Sequence, residues 1–291
     1  MIENNFNYNE AYKRNLGLIS SSDQEKLRKK TIGIIGMGGV GSNHLINFVR
    51  MGVENFKISD FDTYEIGNTN RQYGATTETY GKSKVIVMSE LAKKINPNVS
   101  IKIYDKGIND GNIEEFIQGI DLYVDSIDAF EIKMRRKIFN RCYQSNIWAI
   151  TAGPIGFSSA WISFSPKKMS FDQYFDISDD LNPLEAFSHF LAGLTPKAIQ
   201  KKYMDYTKIN FSDQNGPSVN SACFLCSAIV GAEAVKILLE VGNVKAAPHY
   251  HQFDPYQNIY ILKKLKRGNK SFLQRFKIKK IHQFLEGLNP L

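Results

Sequence analysis

The stretch Thr31-Ile32-Gly33-Ile34-Ile35-Gly36-Met37-Gly38-Gly39-Val40-Gly41-Ser42-Asn43-His44-Leu45 decides the fold of this chain. Thr31 to Ile35 is a short β-branched run and reads as a strand, while Val40 to Met51 places Leu45, Phe48 and Val49 at helical spacing. Between them Gly36, Gly38 and Gly41 match a dinucleotide-type fingerprint. The first glycine permits the turn, the second lets a phosphate approach the backbone, and the third lets helix pack on strand. The amides that open such a helix face an anion. A glycine-rich turn that merely joins strand to helix is the plainer alternative.

Working outward, Asn55 to Ser59 predicts a second strand ending on Asp60-Phe61-Asp62, and Val99 to Tyr104 a third after the loop Asn96-Pro97-Asn98. Ile120 to Val124 reads as a buried strand, Ile132 to Tyr143 as a helix, and Ile147 to Thr151 as a strand that ends at Ala152-Gly153-Pro154. This alternation implies parallel crossovers and an α/β fold with a doubly wound, mostly parallel, Rossmann-like sheet. From Ser158 the pattern changes. A strand is expected over Ser159 to Phe164, and a helical insertion over Leu184 to Tyr206, bounded by Pro183 and the Asn215-Gly216-Pro217 turn. A long helix, Ala222 to Leu239, precedes a closing antiparallel pair, Tyr250 to Phe253 and Asn258 to Leu262, around Asp254-Pro255. The expected organisation is an N-terminal helical arm over 1–30, a main domain over 31–262 with an insertion at about 166–215, and a basic amphipathic tail over 263–291.

With 291 residues, 43% hydrophobic and 12% aromatic, the chain can bury a large core, which argues against general disorder. Met1-Ile2-Glu3-Asn4-Asn5-Phe6 lacks the basic start and apolar stretch of a secretory leader. Ala222 to Leu239 carries Glu233 and Lys236 and reads as a buried helix, not a membrane span. Three cysteines, Cys142, Cys223 and Cys226, are too few for a disulfide framework, so a cytoplasmic location is expected. The net charge of +8 is a local feature. Between Tyr256 and Leu285 there are no acidic residues and nine basic ones, and 37 less nine leaves 28 basic against 29 acidic residues in the chain. Within this segment Ser271 to Leu285 sets Phe272, Leu273, Phe276, Ile281 and Phe284 near helical spacing among lysines. Such a tail, residues 263–285, suits RNA, an acidic protein or peripheral association with a membrane surface; a solvated tail whose apolar face packs on its own body is an equal reading.

The segment after the second strand separates a triphosphate from a nicotinamide dinucleotide. Asp60 stands where NAD enzymes carry the acid that contacts ribose, and Asp62 follows it. Then come Asn68-Thr69-Asn70-Arg71-Gln72 and Gly81-Lys82-Ser83-Lys84, the last opening a helix. Arg71 and Lys84 supply two fixed positive charges suited to β- and γ-phosphates, and Asn68 and Asn70 add uncharged donors. Asp128, at the carboxyl edge of the sheet, would hold Mg²⁺ between phosphates, with Asp125 as the nearby alternative. Each has a plainer reading: Lys84 as an exposed helix-face lysine, Asp128 as a helix cap, and Arg14 as a solvated charge.

Strand, GxGGxGS, DFD, NxNRQ, GKxK and a VDxxD aspartate, in this order, resemble the ubiquitin-activating-enzyme-like superfamily, the ThiF/MoeB/HesA group, over roughly residues 10 to 262. The resemblance implies an ATP site lined by Gly39, Asp60, Asn68, Arg71, Lys84 and Asp128, with Asp60 on ribose, Arg71 and Lys84 on phosphates and Asp128 on Mg²⁺. It implies an ATP-dependent adenylyltransferase that activates a carboxylate as an acyl-adenylate. The acceptor would be the C-terminus of a small ubiquitin-like protein or peptide, or a small-molecule or RNA-borne acid. Arg14 sits where such proteins carry an arginine that reaches into the partner's nucleotide site, which implies a homodimer.

Departures from that pattern limit the reading. The crossover loop after the Gly-Pro turn has no cysteine, and Cys223-Phe224-Leu225-Cys226 is a single CxxC, so zinc is not expected. These two read as buried thiols on a core helix, with a redox or nucleophilic role as the other reading. Ala129 and Lys133 stand where asparagine and arginine are common in the family. His249 and His251 share a strand face without an evident third ligand. The NTNRQ string and the missing loop cysteine also look like the tRNA threonylcarbamoyladenosine dehydratases. From the fingerprint alone, an NAD-dependent oxidoreductase is the rival class, and a nucleotide-binding scaffold without turnover is the third.

Overall fold

A computed structural model describes residues 6–210 and 216–288. The chain divides into two compact units, one built from the chain up to Ser126 together with Ser227–Val244, the other from Ile127–Cys226 together with the chain from Lys245.

In the first unit the arm forms α1 (Tyr8–Tyr12) and α2 (Ser21–Lys29). Asn7 and Ser20 cap these helices with their side chains, each accepting from a backbone amide in the first turn. β1 (Thr31–Ile35) follows as expected, with Ile32, Ile34 and Ile35 all buried. Neighbouring residues of a strand point to opposite faces, so both faces of β1 are covered. α3 (Gly39–Arg50) and β2 (Asn55–Ser59) come next, then α4 (Lys84–Ile95), β3 (Ser100–Tyr104), α5 (Ile113–Ile117) and β4 (Leu122–Asp125). β1 pairs parallel with both β2 and β4, and β2 with β3, giving the order β3-β2-β1-β4. The arm is fastened to the far end of α3. Tyr8 Oη donates to Gly52 O at 2.7 Å, Tyr12 Oη to Val49 O at 2.8 Å and Gln24 Nε2 to Met51 O at 3.0 Å.

The second unit contains α6 (Ile132–Gln144), β5 (Trp148–Ile155), β6 (Ser158–Phe164), α7 (Phe171–Phe175), α8 (Pro183–Leu194), the first turns of α9 (Asn220–Leu238), β7 (His249–Asp254), β8 (Ile259–Lys264) and α10 (Phe272–Leu288). Its strands run β5-β6-β7-β8 and are antiparallel throughout. The sequence reading ended β5 at Gly153-Pro154; the strand instead continues to Ile155, because β6 pairs with it from Ala149 to its end, Pro154 opposite Ser159 and Ile155 opposite Ser158. The hairpin turns at Gly156-Phe157, where Gly156 takes φ +62°, the conformation a tight turn asks of its first central residue. Asn215 of the Asn215-Gly216-Pro217 turn lies outside the described residues.

The core of this unit is aromatic. Phe139, Phe164, Phe171, Tyr174, Phe175 and Phe190 pack with ring centroids 4.6 to 6.2 Å apart. α10 and the 3-10 turn Gly268–Lys270 before it join this core through buried amides that find acceptors: Gln274 Nε2 donates to Ala192 O at 2.9 Å, and Asn269 Nδ2 to Phe175 O and His189 O.

Among the described residues α9 alone is long and apolar enough, by length and composition, to cross a membrane. Its polar contacts are those of a core helix: Ser227 Oγ donates to Asn43 O at 2.9 Å, Asn47 Nδ2 donates to Ser227 O at 2.9 Å, and Lys236 pairs with Glu233.

Candidate functional site

The turn between β1 and α3 is built to leave amides free. Gly36 takes φ +94° and its N–H donates to Ser59 O at 2.7 Å, which ties the turn to the end of β2. Gly38 is the N-cap of α3, and no side chain caps that helix. The first amides of a helix have no intrahelical partner and carry about half a positive charge between them, so an uncapped start is an anion cradle. The side chains of the first turn bind carbonyls instead: Ser42 Oγ donates to Gly38 O and Asn43 Nδ2 to Gly39 O, each at 2.6 Å. At Gly41 no Cβ fits, since it would overlap the carbonyl of Gly36.

Asp60 closes one side of this cradle. Its Oδ2 accepts from Met37 N at 2.6 Å and its Oδ1 from Asp62 N at 2.8 Å. Burial pushes its pKa up, against the pull of these two amides and the nearby Lys84 ammonium. Each carboxylate oxygen keeps acceptor capacity for a hydroxyl.

Lys84 is the first residue of α4, and its side chain is only 8% exposed, which removes the reading as a solvated helix-face lysine. Its N–H donates to Asp62 O at 3.0 Å and its Nζ lies 2.9 Å from Asp62 Oδ2. A cation at a helix N-terminus opposes the helix dipole, and this one is buried as well, so its placement favours a nearby anion. Asp62, whose side chain is 52% exposed, supplies that charge in the free protein.

The loop after β2 folds onto the turn. Asn68 ends a 3-10 turn, Ile66–Asn68, and its Oδ1 accepts from Glu65 N at 3.0 Å. Its carbonyl accepts from Arg71 N and Gln72 N. The half-buried Arg71 turns Nη1 toward its own loop, donating to Gly67 O at 3.0 Å and Asn70 Oδ1 at 2.9 Å. Gln72 is buried, its carboxamide lies beside Gly38, and its Oε1 has no hydrogen-bond donor. Tyr73 N donates to Ser42 Oγ at 3.2 Å. Ser42 thus joins turn and loop, a part the sequence reading did not assign, although the serine after the third glycine was its signal.

The first unit therefore brings Gly36, Gly38, Gly39, Gly41, Asp60, Asp62, Gln72 and Lys84 together, with Asn68, Asn70 and Arg71 on the adjoining loop. Arg14 is exposed on the 3-10 turn Lys13–Asn15 of the arm. Asp128 is exposed in the second unit, where its Oδ1 accepts from Phe130 N at 3.0 Å. It is not the cap of α6, whose N-cap is Glu131. Asp125 is 2% exposed, with Tyr123 Oη at 3.3 Å.

The turn and its surroundings fit a nucleoside triphosphate: free amides, a buried ammonium, an acid for hydroxyls and an orphaned carboxamide oxygen. Among the described residues no group of three or more His, Cys, Asp or Glu could hold a metal ion by protein ligands alone. A Mg²⁺ held mainly by phosphates needs as few as one carboxylate from the protein. Cys223 and Cys226 are buried; Cys226 Sγ lies 3.1 Å from Ser159 Oγ, and burial pushes its thiol pKa far up, away from thiolate chemistry. His249 Nδ1 lies 3.0 Å from Ala246 O, and the buried His251 stacks on Trp161 at 4.4 Å with Tyr260 Oη 3.1 Å away.

A parallel β3-β2-β1-β4 sheet with an uncapped glycine turn after its first strand, and an acid at the end of the next, defines the Rossmann-type class of α/β protein. Within that class the chain belongs to the ThiF family, whose profile matches residues 12–272. Among curated relatives, the tRNA threonylcarbamoyladenosine dehydratase of Haemophilus influenzae is 36% identical over 132 residues, 45% of this chain and 50% of that protein. The sulfur carrier protein adenylyltransferase of Thermus thermophilus is 30% identical over 112 residues, 38% of this chain and 41% of that one. The chain thus spans half or less of the length of these relatives. Among solved structures, E. coli MccB with ATP superposes with a TM-score of 0.67 at 19% identity, over 91% of this chain and 75% of that one. PaaA superposes with a TM-score of 0.67 at 16% identity, over 91% and 78%. These likenesses carry the fold.

Proposed function

We propose that this chain binds ATP with Mg²⁺ at the Gly36–Gly41 turn and activates a carboxylate as an acyl-adenylate. The observation that carries the reading is Lys84, a buried ammonium at the start of α4 held by Asp62 beside an uncapped helix N-terminus. The two phosphate charges of a nicotinamide dinucleotide are met by the turn amides, whereas a triphosphate carries further charge for the ammonium. Relatives named as adenylyltransferases, and a structural neighbour solved with ATP, support the same chemistry.

The turn amides would hold phosphate oxygens and Asp60 the ribose hydroxyls. Lys84 and Arg71 would face the β- and γ-phosphates, Arg71 leaving Gly67 O to do so, and Asn68, Asn70 and Gln72 would complete the polar lining. Asp128 would hold the Mg²⁺, which when bound neutralises phosphate charge. A carboxylate oxygen of the acceptor attacks the α-phosphorus, the bond to the β-phosphate's bridging oxygen breaks, and pyrophosphate leaves. The chain's contribution is positioning and charge stabilisation. The acceptor class is the C-terminus of a small protein or peptide, in keeping with relatives named for SUMO activation and a neighbour solved with MccA. Arg14, exposed on the arm, would act across a homodimer.

Pyrophosphate exchange into ATP, dependent on a carboxylate acceptor, tests the reaction, and thermal stabilisation by ATP with Mg²⁺ but not by NADH separates it from a dehydrogenase. Full exchange in Asp128→Ala would remove the metal role from that residue. One second reading has its own support: the 36% identity to a tRNA threonylcarbamoyladenosine dehydratase, together with the basic segment, favours an RNA-borne carboxylate. AMP formation stimulated by tRNA bearing threonylcarbamoyladenosine, and not by peptide acids, would select it.

A further inference from the structure

Helix α10 carries two apolar faces. Gln274, Ile278 and Leu285 are buried on the inner one, with Ile281 half-buried beside them. At 100° per residue, Phe272, Leu273 and Phe276 project from the opposite side, and Phe272 is 84%, Leu273 70% and Phe276 53% exposed. A helix that packs one face on its own protein is expected to be polar on the other. Here the outer face opens with three large apolar side chains in contiguous positions.

The charge around them is predominantly positive, although Arg275 and Lys279 also line a pocket with Asp176, Glu185 and Glu286. Lys263, Lys264, Lys266, Arg267, Lys270, Arg275, Lys279 and Lys280 are all exposed. Among the described ion pairs only Lys270 approaches a carboxylate, Asp176 at 3.9 Å. Lys280 Nζ sits 4.6 Å over the ring of Phe276, so its stem runs along the apolar face while its charge stays at the rim.

We propose that this outer face docks on an anionic lipid surface, with Phe272, Leu273 and Phe276 entering the boundary between headgroups and acyl chains and the surrounding cations meeting lipid phosphates and carboxylates. Charge complementarity selects an anionic partner. Leu273 selects lipid over nucleic acid, because a leucine has no ring on which a base can stack but gains fully from hydrocarbon, as do both phenylalanines. Each cation near such a surface adds favourable energy that salt screens within a Debye length.

The test is flotation of the full chain with phosphatidylcholine vesicles, with and without phosphatidylserine. Binding is expected to require phosphatidylserine and to weaken with added salt. Phe272→Ser combined with Leu273→Ser should lower partitioning at least about tenfold, and Lys279→Glu combined with Lys280→Glu by a similar factor. All four side chains are exposed, so both variants should melt like the parent, which separates lost docking from lost folding. Absence of binding to phosphatidylserine vesicles overturns the proposal, as does binding that survives Phe272→Ser with Leu273→Ser. Binding of tRNA that the same double variant leaves intact, and that displaces the chain from vesicles, would assign the face to RNA instead.

Discussion

Replacing Lys84 by methionine separates folding from function. The ammonium lies 2.9 Å from Asp62 Oδ2, but Asp62 is 52% exposed, so water screens the pair and its contribution to stability is about 1 kcal/mol or less. Methionine keeps an apolar stem of similar length in the buried slot and removes the desolvation of a charge, which offsets part of that loss. Asp62, left alone, is exposed enough to be solvated. The melting midpoint should therefore move by no more than about 2 °C. Against a triphosphate the same substitution removes a fixed cation from a site sheltered from water, a loss of about 3 kcal/mol of transition-state stabilisation, or roughly a hundredfold in rate. Pyrophosphate exchange under saturating acceptor, read beside a thermal melt, gives both numbers. Exchange within about threefold of the parent, with the melt unchanged, would refute the assignment of Lys84 to the phosphates.

Further outcomes follow from other parts of the same unit. Gly41→Ala should abolish thermal stabilisation by ATP with Mg²⁺, because a Cβ there overlaps the Gly36 carbonyl and the turn must open; a normal shift would mean that the turn does not hold phosphate. Asp60→Asn should weaken ATP binding about tenfold by calorimetry, since an amide presents one acceptor where Met37 N, Asp62 N and ribose require two oxygens, and unchanged affinity would remove Asp60 from the ribose. His44 is fully buried with neither ring nitrogen hydrogen-bonded, and burial pushes its pKa down to about 3. A folded-state pKa below the unfolded value gives stability that is complete above about pH 6.5 and is lost as pH falls, about 2 kcal/mol by pH 5. Burial raises the Asp60 pKa, which acts in the opposite sense over the carboxylate range, so the slope should be read above pH 5 by denaturant titration. His44→Leu should flatten it, and a parallel slope in that variant would place the acid lability elsewhere. Cys223 and Cys226 should resist iodoacetamide in the folded protein and react on unfolding; labelling at native rates would contradict their burial.

Much of this was legible in the sequence because it depends on local rules. β1, the glycine turn and α3 follow from β-branching, a spacing of glycines that only one backbone path satisfies, and a helical apolar period. The antiparallel β7–β8 pair was announced by Asp254-Pro255. The extension of β5 was not legible, because Gly153-Pro154 reads as a stop until a partner strand is known; β6 supplies it, with hydrogen bonds the sequence cannot show. Lys84 illustrates the same limit. Its presence at the head of a helix was clear, but burial and the bond to Asp62 depend on how the loop from Asp60 to Lys82 folds back. The bonds of Arg71 to Gly67 O and Asn70, the nearest acceptors in the free protein, were likewise not legible, because they too depend on how that loop folds.

The bonds from Tyr8, Tyr12 and Gln24 to the carbonyls of Val49, Met51 and Gly52 bear on any attempt to dissect the arm. A twelve-residue helix behaves as a short stiff rod, and α3 presents its amides at one end while the arm grips the other. Deleting the arm would release that grip and leave α3 to the bonds of Asn43 and Asn47 with Ser227, loosening the rod that presents the amides. A truncated chain would thus lose affinity for reasons unrelated to Arg14, and only a point substitution at Arg14, with the tyrosine clasp left intact, would report what that arginine contributes.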